Sequence, residues 1–195
     1  MRRWKLVALT LGIFALAPGL ASAHTFGAEG AGFTAGFAHP FGGLDHLLAM
    51  LAIGVWAAQI GGYARWTVPA ASLAMIAAGG ALGALDPGPL VMESAIAGSL
   101  IVLGSLIAVG QRFTARTGAL IVGLAAVLHG HAHGVEMPEA ANLWAYAGGF
   151  ILATASLHAI GVAVGSLERV RSVRWAIRGS GVAVALAGLW LIAIA

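Results

Sequence analysis

The sequence predicts an all-α, polytopic membrane protein: six transmembrane helices behind a cleavable N-terminal signal peptide. Three observations carry that prediction. Hydrophobic residues make up 60% of the 195-residue chain and charged residues only 9%, where a soluble domain carries roughly a quarter charged. Apolar stretches of about the length needed to cross a bilayer recur along the chain, separated by Gly, Pro and Asp. The few charges also segregate by sign between alternate connections. The same composition excludes disorder, which needs low hydrophobicity and high charge. With no Cys in the chain there is no disulfide framework, no thiolate metal site and no Cys nucleophile. The net charge of +3 does not mark a nucleic-acid binder, because the basic residues form no stripe or patch. No G-x-x-x-x-G-K-[ST] loop is present, so no nucleotide is expected.

The elements follow in order. Arg2, Arg3 and Lys5 form a basic n-region, and Leu6 to Ala17 form an apolar h-region. Pro18 and Gly19 break it, and Ala21-Ser22-Ala23 is an A-x-A cleavage site. The run is shorter than the roughly 20 residues a span requires; an uncleaved first span is the alternative. Cleavage sets residues 1–23 aside as signal peptide and leaves 24–195 as one six-helix transmembrane domain. The mature chain then begins at His24, outside the cytoplasm. A signal of this type points to a bacterial inner membrane.

Six spans are expected at 40–60, 65–85, 90–110, 116–133, 142–166 and 174–195. The breaks carry Gly61-Gly62, Asp86-Pro87-Gly88-Pro89 and Met137-Pro138. With the basic end of the signal inside, Arg65, Arg112, Arg116, Arg169, Arg171, Arg174 and Arg178 all fall on the cytoplasmic side. Glu29, Asp86, Glu93, Glu136 and Glu139 fall outside or at outer helix ends, with Asp45 just below the outer surface. Glu168 alone joins the basic loop. A wrong span count would scatter these charges, so both mature termini are expected in the periplasm. The GxxxG pairs Gly79/Gly83 and Gly161/Gly165 allow close helix packing in lipid, within the chain or between copies in a homo-oligomer.

Six of the seven histidines lie at or near the expected outer face: His24, His39, His46, His129, His131 and His133. Ionisable groups at membrane depth are costly and are functional candidates by default. Imidazoles clustered with Asp45, Glu93 and Glu136 make the donor set of a first-row divalent metal. The first cluster runs from His39-Pro40 to Asp45-His46 and Met50. Pro40 suits the first position of a helix, with His39 as its cap. His39 and His46 would then be about 10 Å apart along a straight helix. They belong to successive sites, or the residues before Pro40 fold back. Asp45 completes a site shared with another helix or holds a histidine in one tautomer.

The second cluster is His129-Gly130-His131-Ala132-His133-Gly134-Val135-Glu136. His129 and His133, four apart, can chelate from one helical face, and His131 then points elsewhere. The H-E-x-x-H helix of a metalloprotease is absent. His158 falls deep in the fifth span, as a step on an ion path, a proton carrier or a hydrogen-bonded packing group. Glu93 is a vestibule carboxylate or an interfacial charge. His24, if cleavage exposes it, offers an α-amine and an imidazole as a chelating pair.

At these residues the sequence resembles the HupE/UreJ family of nickel/cobalt permeases. The resemblance rests on Ala23-His24, on His39-Pro40-x-x-Gly43-x-Asp45-His46 running into Met50 and Gly54-Val55-Trp56-Ala57-Ala58, on His129-Gly130-His131-Ala132-His133-Gly134-x-Glu136, and on Thr154-x-x-x-His158-x-x-Gly161. It implies six spans after signal removal and uptake of Ni²⁺ or Co²⁺ for hydrogenase or urease maturation. It also implies that His39, Asp45 and His46 are most needed for transport, with His129, His133 and Glu136 contributing. The ion is then substrate rather than prosthetic group, moving inward past polar groups such as Ser156 and His158. The physical chemistry agrees: nitrogen and oxygen ligands suit Ni²⁺, Co²⁺ and Zn²⁺, and the lack of Cys argues against Cu(I). The rival is an intramembrane zinc hydrolase, with the same His/Asp cluster activating water and Ser94 as accessory hydroxyl.

Overall fold

The computed structural model describes residues 32–85, 92–137 and 142–194, with the side chains of residues 92 and 93 excepted. The signal segment with its Ala23 cleavage site, His24, Glu29, Asp86, Glu139 and the carboxylate of Glu93 therefore lie outside the described residues. The regular structure among the described residues is helical: α1 (Phe33–Gly42), α2 (Leu44–Ile60), α3 (Ala64–Leu85), α4 (Met92–Val109), α5 (Ala115–Val135), α6 (Leu143–Ser166), a 3₁₀ turn (Leu167–Arg169) and α7 (Arg171–Ile194).

Four of the six expected spans coincide with helices long and apolar enough to cross a membrane: α3, α5, α6 with its 3₁₀ turn, and α7. The first expected span differs. Its helix begins earlier, at Phe33, and breaks into two arms that meet at 88°. Pro40 does not open a helix capped by His39; both sit inside the last turns of α1. The physical reason lies in the proline. It removes one backbone donor from an established helix, and the chain turns extended at Gly43 (φ −113°, ψ 129°) before α2 begins. Counted together, α1 and α2 make a fifth span. The expected span 90–110 coincides with α4, of which Ser94–Val109 is the fully described apolar part.

Glycines set the helix pairing. A Cβ on Gly79 would strike the Val127 carbonyl, and one on Gly83 the His131 carbonyl, so α3 and α5 touch backbone to backbone. Gly54 and Gly161 do the same for α2 and α6, and Gly104, Gly181 and Gly188 for the antiparallel pair α4 and α7. Such contact replaces the hydrophobic drive that lipid cannot supply. Both GxxxG pairs are thereby used inside the chain, Gly165 against Val55 and Ala58. Packing within the chain is one of the two uses expected of these pairs.

Trp66, Leu120, Leu124, Trp144 and Trp175 are exposed on the outer surfaces of the bundle, as lipid-facing positions should be. The main core gathers Trp56, Val68, Leu100, Leu103 and Val122 toward the basic end of the molecule. There Trp56 Nε1 donates to the Gln111 carbonyl at 2.9 Å and Gln59 Nε2 to the Ile107 carbonyl at 3.2 Å. A second core, of Met50, Ile76, Ala126, Phe150 and Leu157, lies toward the opposite end.

Candidate metal centre

Four helix ends bring the two histidine motifs together. The last turn of α1 carries His39, and the first turn of α2 carries Asp45 and His46. The end of α5 carries His129 and His133, with Glu136 as its C-terminal cap. The start of α6 supplies a wall of Tyr146 and Phe150, held by the Asn142 side chain accepting from the Ala145 amide at 3.0 Å.

The bend at Gly43 makes the site. It folds His39 back so that its ring centroid is 6.4 Å from that of His46, which a straight helix would not permit. Of the two arrangements open to the sequence, folding back is the one adopted, by a bend of 88° that follows Pro40 rather than preceding it. Gly43 leaves room for the Asp45–His46 pair: an added Cβ would stand 2.6 Å from Asp45 Oδ1 and 3.0 Å from His46 Nδ1, so those side chains would have to shift.

The contacts run across the chain. His39 Nε2 lies 3.2 Å from Glu136 Oε2, and His133 Nδ1 lies 3.9 Å from the same oxygen. One ligand atom each from His39, His133 and Glu136 falls within 4.8 Å of the others. Two ligands about 2.1 Å from a shared ion are at most about 4.2 Å apart, so side-chain shifts of well under 1 Å would close this group on a metal. His133 also faces His46, with ring centroids 4.3 Å apart, and His46 faces His129 at 5.7 Å. All six residues singled out most strongly in the sequence therefore share one cluster.

The protonation pattern suits ligation. His129 Nδ1 lies 3.0 Å from the Ala125 carbonyl, which can only accept, so the neutral ring carries its proton there. Nε2 is left with a lone pair, buried and unpartnered. His46 Nε2 and both nitrogens of His133 are likewise buried without hydrogen-bond partners. Asp45 Oδ1 sits 2.7 Å from His46 Nδ1, so the carboxylate attracts the ring proton to that nitrogen and leaves Nε2 free. Such carboxylate–imidazole pairing is how metal-binding histidines are oriented. At the exposed mouth, contact with His39 holds the Glu136 carboxyl below the ordinary carboxylate range.

A family model described as HupE / UreJ protein matches residues 11–191. The chain belongs to the HupE/UreJ family. A relative within it, Protein HupE of Rhizobium leguminosarum bv. viciae, is 40% identical over 190 residues, covering 97% of this chain and 98% of the relative. No solved structure matches.

The remaining candidates of this family member stand apart from the cluster. His131 is rotated by about 200° from His129, and its backbone lies against Gly79 and Gly83 of α3. His158 is buried in α6 with both nitrogens engaged, Nδ1 to the Met50 carbonyl at 2.8 Å and Nε2 to Ser72 Oγ at 3.0 Å. The Ser156 hydroxyl returns to the Leu152 carbonyl at 2.8 Å. Sequence reading missed Tyr146 and Phe150, whose rings lie 5.9 Å and 6.1 Å from that of His39. The available signal was their spacing, eight and four residues before Thr154 on the α6 face that leads to His158.

Proposed function

We propose that this protein takes up Ni²⁺, or Co²⁺, and carries it across a bacterial inner membrane into the cytoplasm, where it supplies hydrogenase or urease maturation. The observation that carries the reading is the set of buried imidazole nitrogens without hydrogen-bond partners on His46, His129 and His133. Buried polar groups without partners are rare because each costs free energy. Here they converge beside Asp45 and Glu136, and nitrogen with carboxylate oxygen is a donor set for first-row divalent ions.

In this reading Glu136 and His39 capture the hydrated ion at the mouth. His133, His46 and His129 then replace its water, with Asp45 orienting His46. The basic end of the bundle faces the cytoplasm, and both mature termini are periplasmic. The hydrolase alternative is not favoured. The family is one of metal transporters, and Ser94, the hydroxyl that reading would place beside the metal, is exposed on α4.

The test is ⁶³Ni²⁺ uptake into proteoliposomes by wild type, His46→Ala and Ser94→Ala. Transport predicts uptake lost in the first variant and kept in the second. A folded wild type that moves no nickel and holds one zinc tightly would replace this reading with the hydrolase.

A further inference from the structure

We propose that Ser72, Thr154 and His158 form a second station for the transported cation, deeper in the bundle than the His39–Glu136 cluster. The proposal rests on the transport reading above and adds the inward step to it.

Tyr146, Phe150, Thr154 and His158 stand four apart on α6 and so share one face. All four are buried. The Tyr146 ring is 5.9 Å from His39 and the Phe150 ring 4.3 Å from His133. At the other end of the stripe His158 meets the carbonyl of Met50, one turn past His46 on α2. The stripe therefore leads from the cluster into the bundle, about 12 Å from Phe150 to His158 at 1.5 Å per residue. Between the two ends lies the apolar layer of Met50, Ile76, Ala126 and Leu157. An ion leaving the cluster meets polar atoms again at Thr154, Ser72 and His158.

Two features of the station exceed what packing requires. The Thr154 side chain is fully buried and its hydroxyl has no partner. A helical serine or threonine ordinarily bonds the carbonyl one turn back, as Ser156 and Ser166 do; Thr154 does not. Valine has the same shape without the desolvation cost. The second feature is the tautomer of His158. The Met50 carbonyl can only accept, so Nδ1 donates to it; Nε2 of the neutral ring then accepts from the Ser72 hydroxyl. A ring anchored through Nδ1–H to a backbone carbonyl is oriented to ligate through Nε2. Rotation of the Ser72 hydroxyl frees that lone pair and one on its own oxygen. The resulting donors are one imidazole and two hydroxyls, with no carboxylate. Such a set holds a divalent ion more weakly than the outer cluster does, and weak holding lets an ion leave.

The full chain, Thr154→Val and Ser72→Ala are compared in proteoliposomes with Ni²⁺ as the probe. Two quantities are read: Ni²⁺ bound at equilibrium by purified protein, and the initial rate of uptake. The station predicts that Thr154→Val binds nickel as wild type does while its uptake slows by about tenfold, the scale of losing one group that serves a metal site. Thr154→Val transporting at the wild-type rate would overturn it. Should that variant fail to fold, Ser72→Ala decides: unchanged binding with slowed uptake supports the station, and unchanged uptake removes it. A wild type that binds nickel without carrying it removes the transport reading, and the station with it.

Discussion

His133 faces His46 with ring centroids 4.3 Å apart, and neither nitrogen of His133 has a hydrogen-bond partner. A structural histidine would be satisfied, because an orphaned buried polar group costs about 1–3 kcal/mol. His133→Leu keeps similar bulk and removes both orphans. Its thermal stability in detergent is therefore expected to match or exceed wild type by about 1 kcal/mol. Nickel affinity is expected to fall by about tenfold or more. Calorimetry and equilibrium ⁶³Ni²⁺ binding on one preparation check both. Destabilisation beyond about 2 kcal/mol would assign the ring to the core instead.

Imidazole ligates a metal only when neutral, so protons compete with nickel for the cluster. Uptake is expected to be full at neutral pH and to fall at acid pH, where protons take the imidazoles from the metal. Glu136 does not cause that fall. Contact with His39 keeps its carboxyl ionised to below the ordinary carboxylate range. The favourable contribution of Glu136 to the fold is present at neutral pH and disappears only as the pH falls through its lowered value. Glu136→Gln should thus weaken nickel uptake while leaving the acid limb of the pH profile in place. Nickel binding that stays constant to the lowest pH at which the protein remains folded would count against imidazole ligation.

The spans were legible because hydropathy contrast and charge mark their ends. The expected 65–85 and 142–166 meet helices Ala64–Leu85 and Leu143–Ser166. The α1–α2 break was not legible, because residues on both sides of Gly43 are equally apolar. Its cue is the local Pro40-Phe41-Gly42-Gly43 run. The ligand candidates stood out as rare ionisable residues in an apolar chain. Tyr146 and Phe150 did not, since an aromatic residue inside an apolar helix carries no such contrast. Ser72 was hidden for the same reason, and only tertiary packing sets it against His158.

Backbone contact between α2 and α6 fixes the depth of the whole cluster. A Cβ on Gly161 would strike the Leu51 carbonyl and stand 3.0 Å from Gly54 Cα. Backbone cannot rotate away as a side chain tip can, so the helices must separate. Gly161→Ala is expected to cost about 1–3 kcal/mol, the usual range for overpacking. Gly98→Ala is the control, because nothing lies within 4 Å of its added Cβ. Helix propensity alone favours alanine there by roughly 1 kcal/mol. Equal melting temperatures for the two variants would mean that α2 and α6 are not in contact as described.

At the opposite end, Glu168 is the buried partner of two arginines, and its substitutions should be asymmetric. Its side chain is 6% exposed, with Arg178 Nε at 3.4 Å and Arg112 Nη2 at 3.9 Å; the arginine side chains are 30% and 63% exposed. Removing Glu168 leaves cations that water can reach. Removing Arg178 leaves a buried carboxylate whose remaining arginine is distant and solvated. Stripping the partner from a buried charge costs about 3–5 kcal/mol, whereas an exposed pair contributes about 0–1 kcal/mol. Arg178 also lies against Gly110, held at φ +70°, so its loss loosens the α4–α5 connection as well. The expected order of destabilisation is Arg178→Met, then Glu168→Gln, then Arg112→Met, read as melting temperatures in one detergent. Arg112→Met costing as much as Arg178→Met would show that the more exposed guanidinium carries the ion pair.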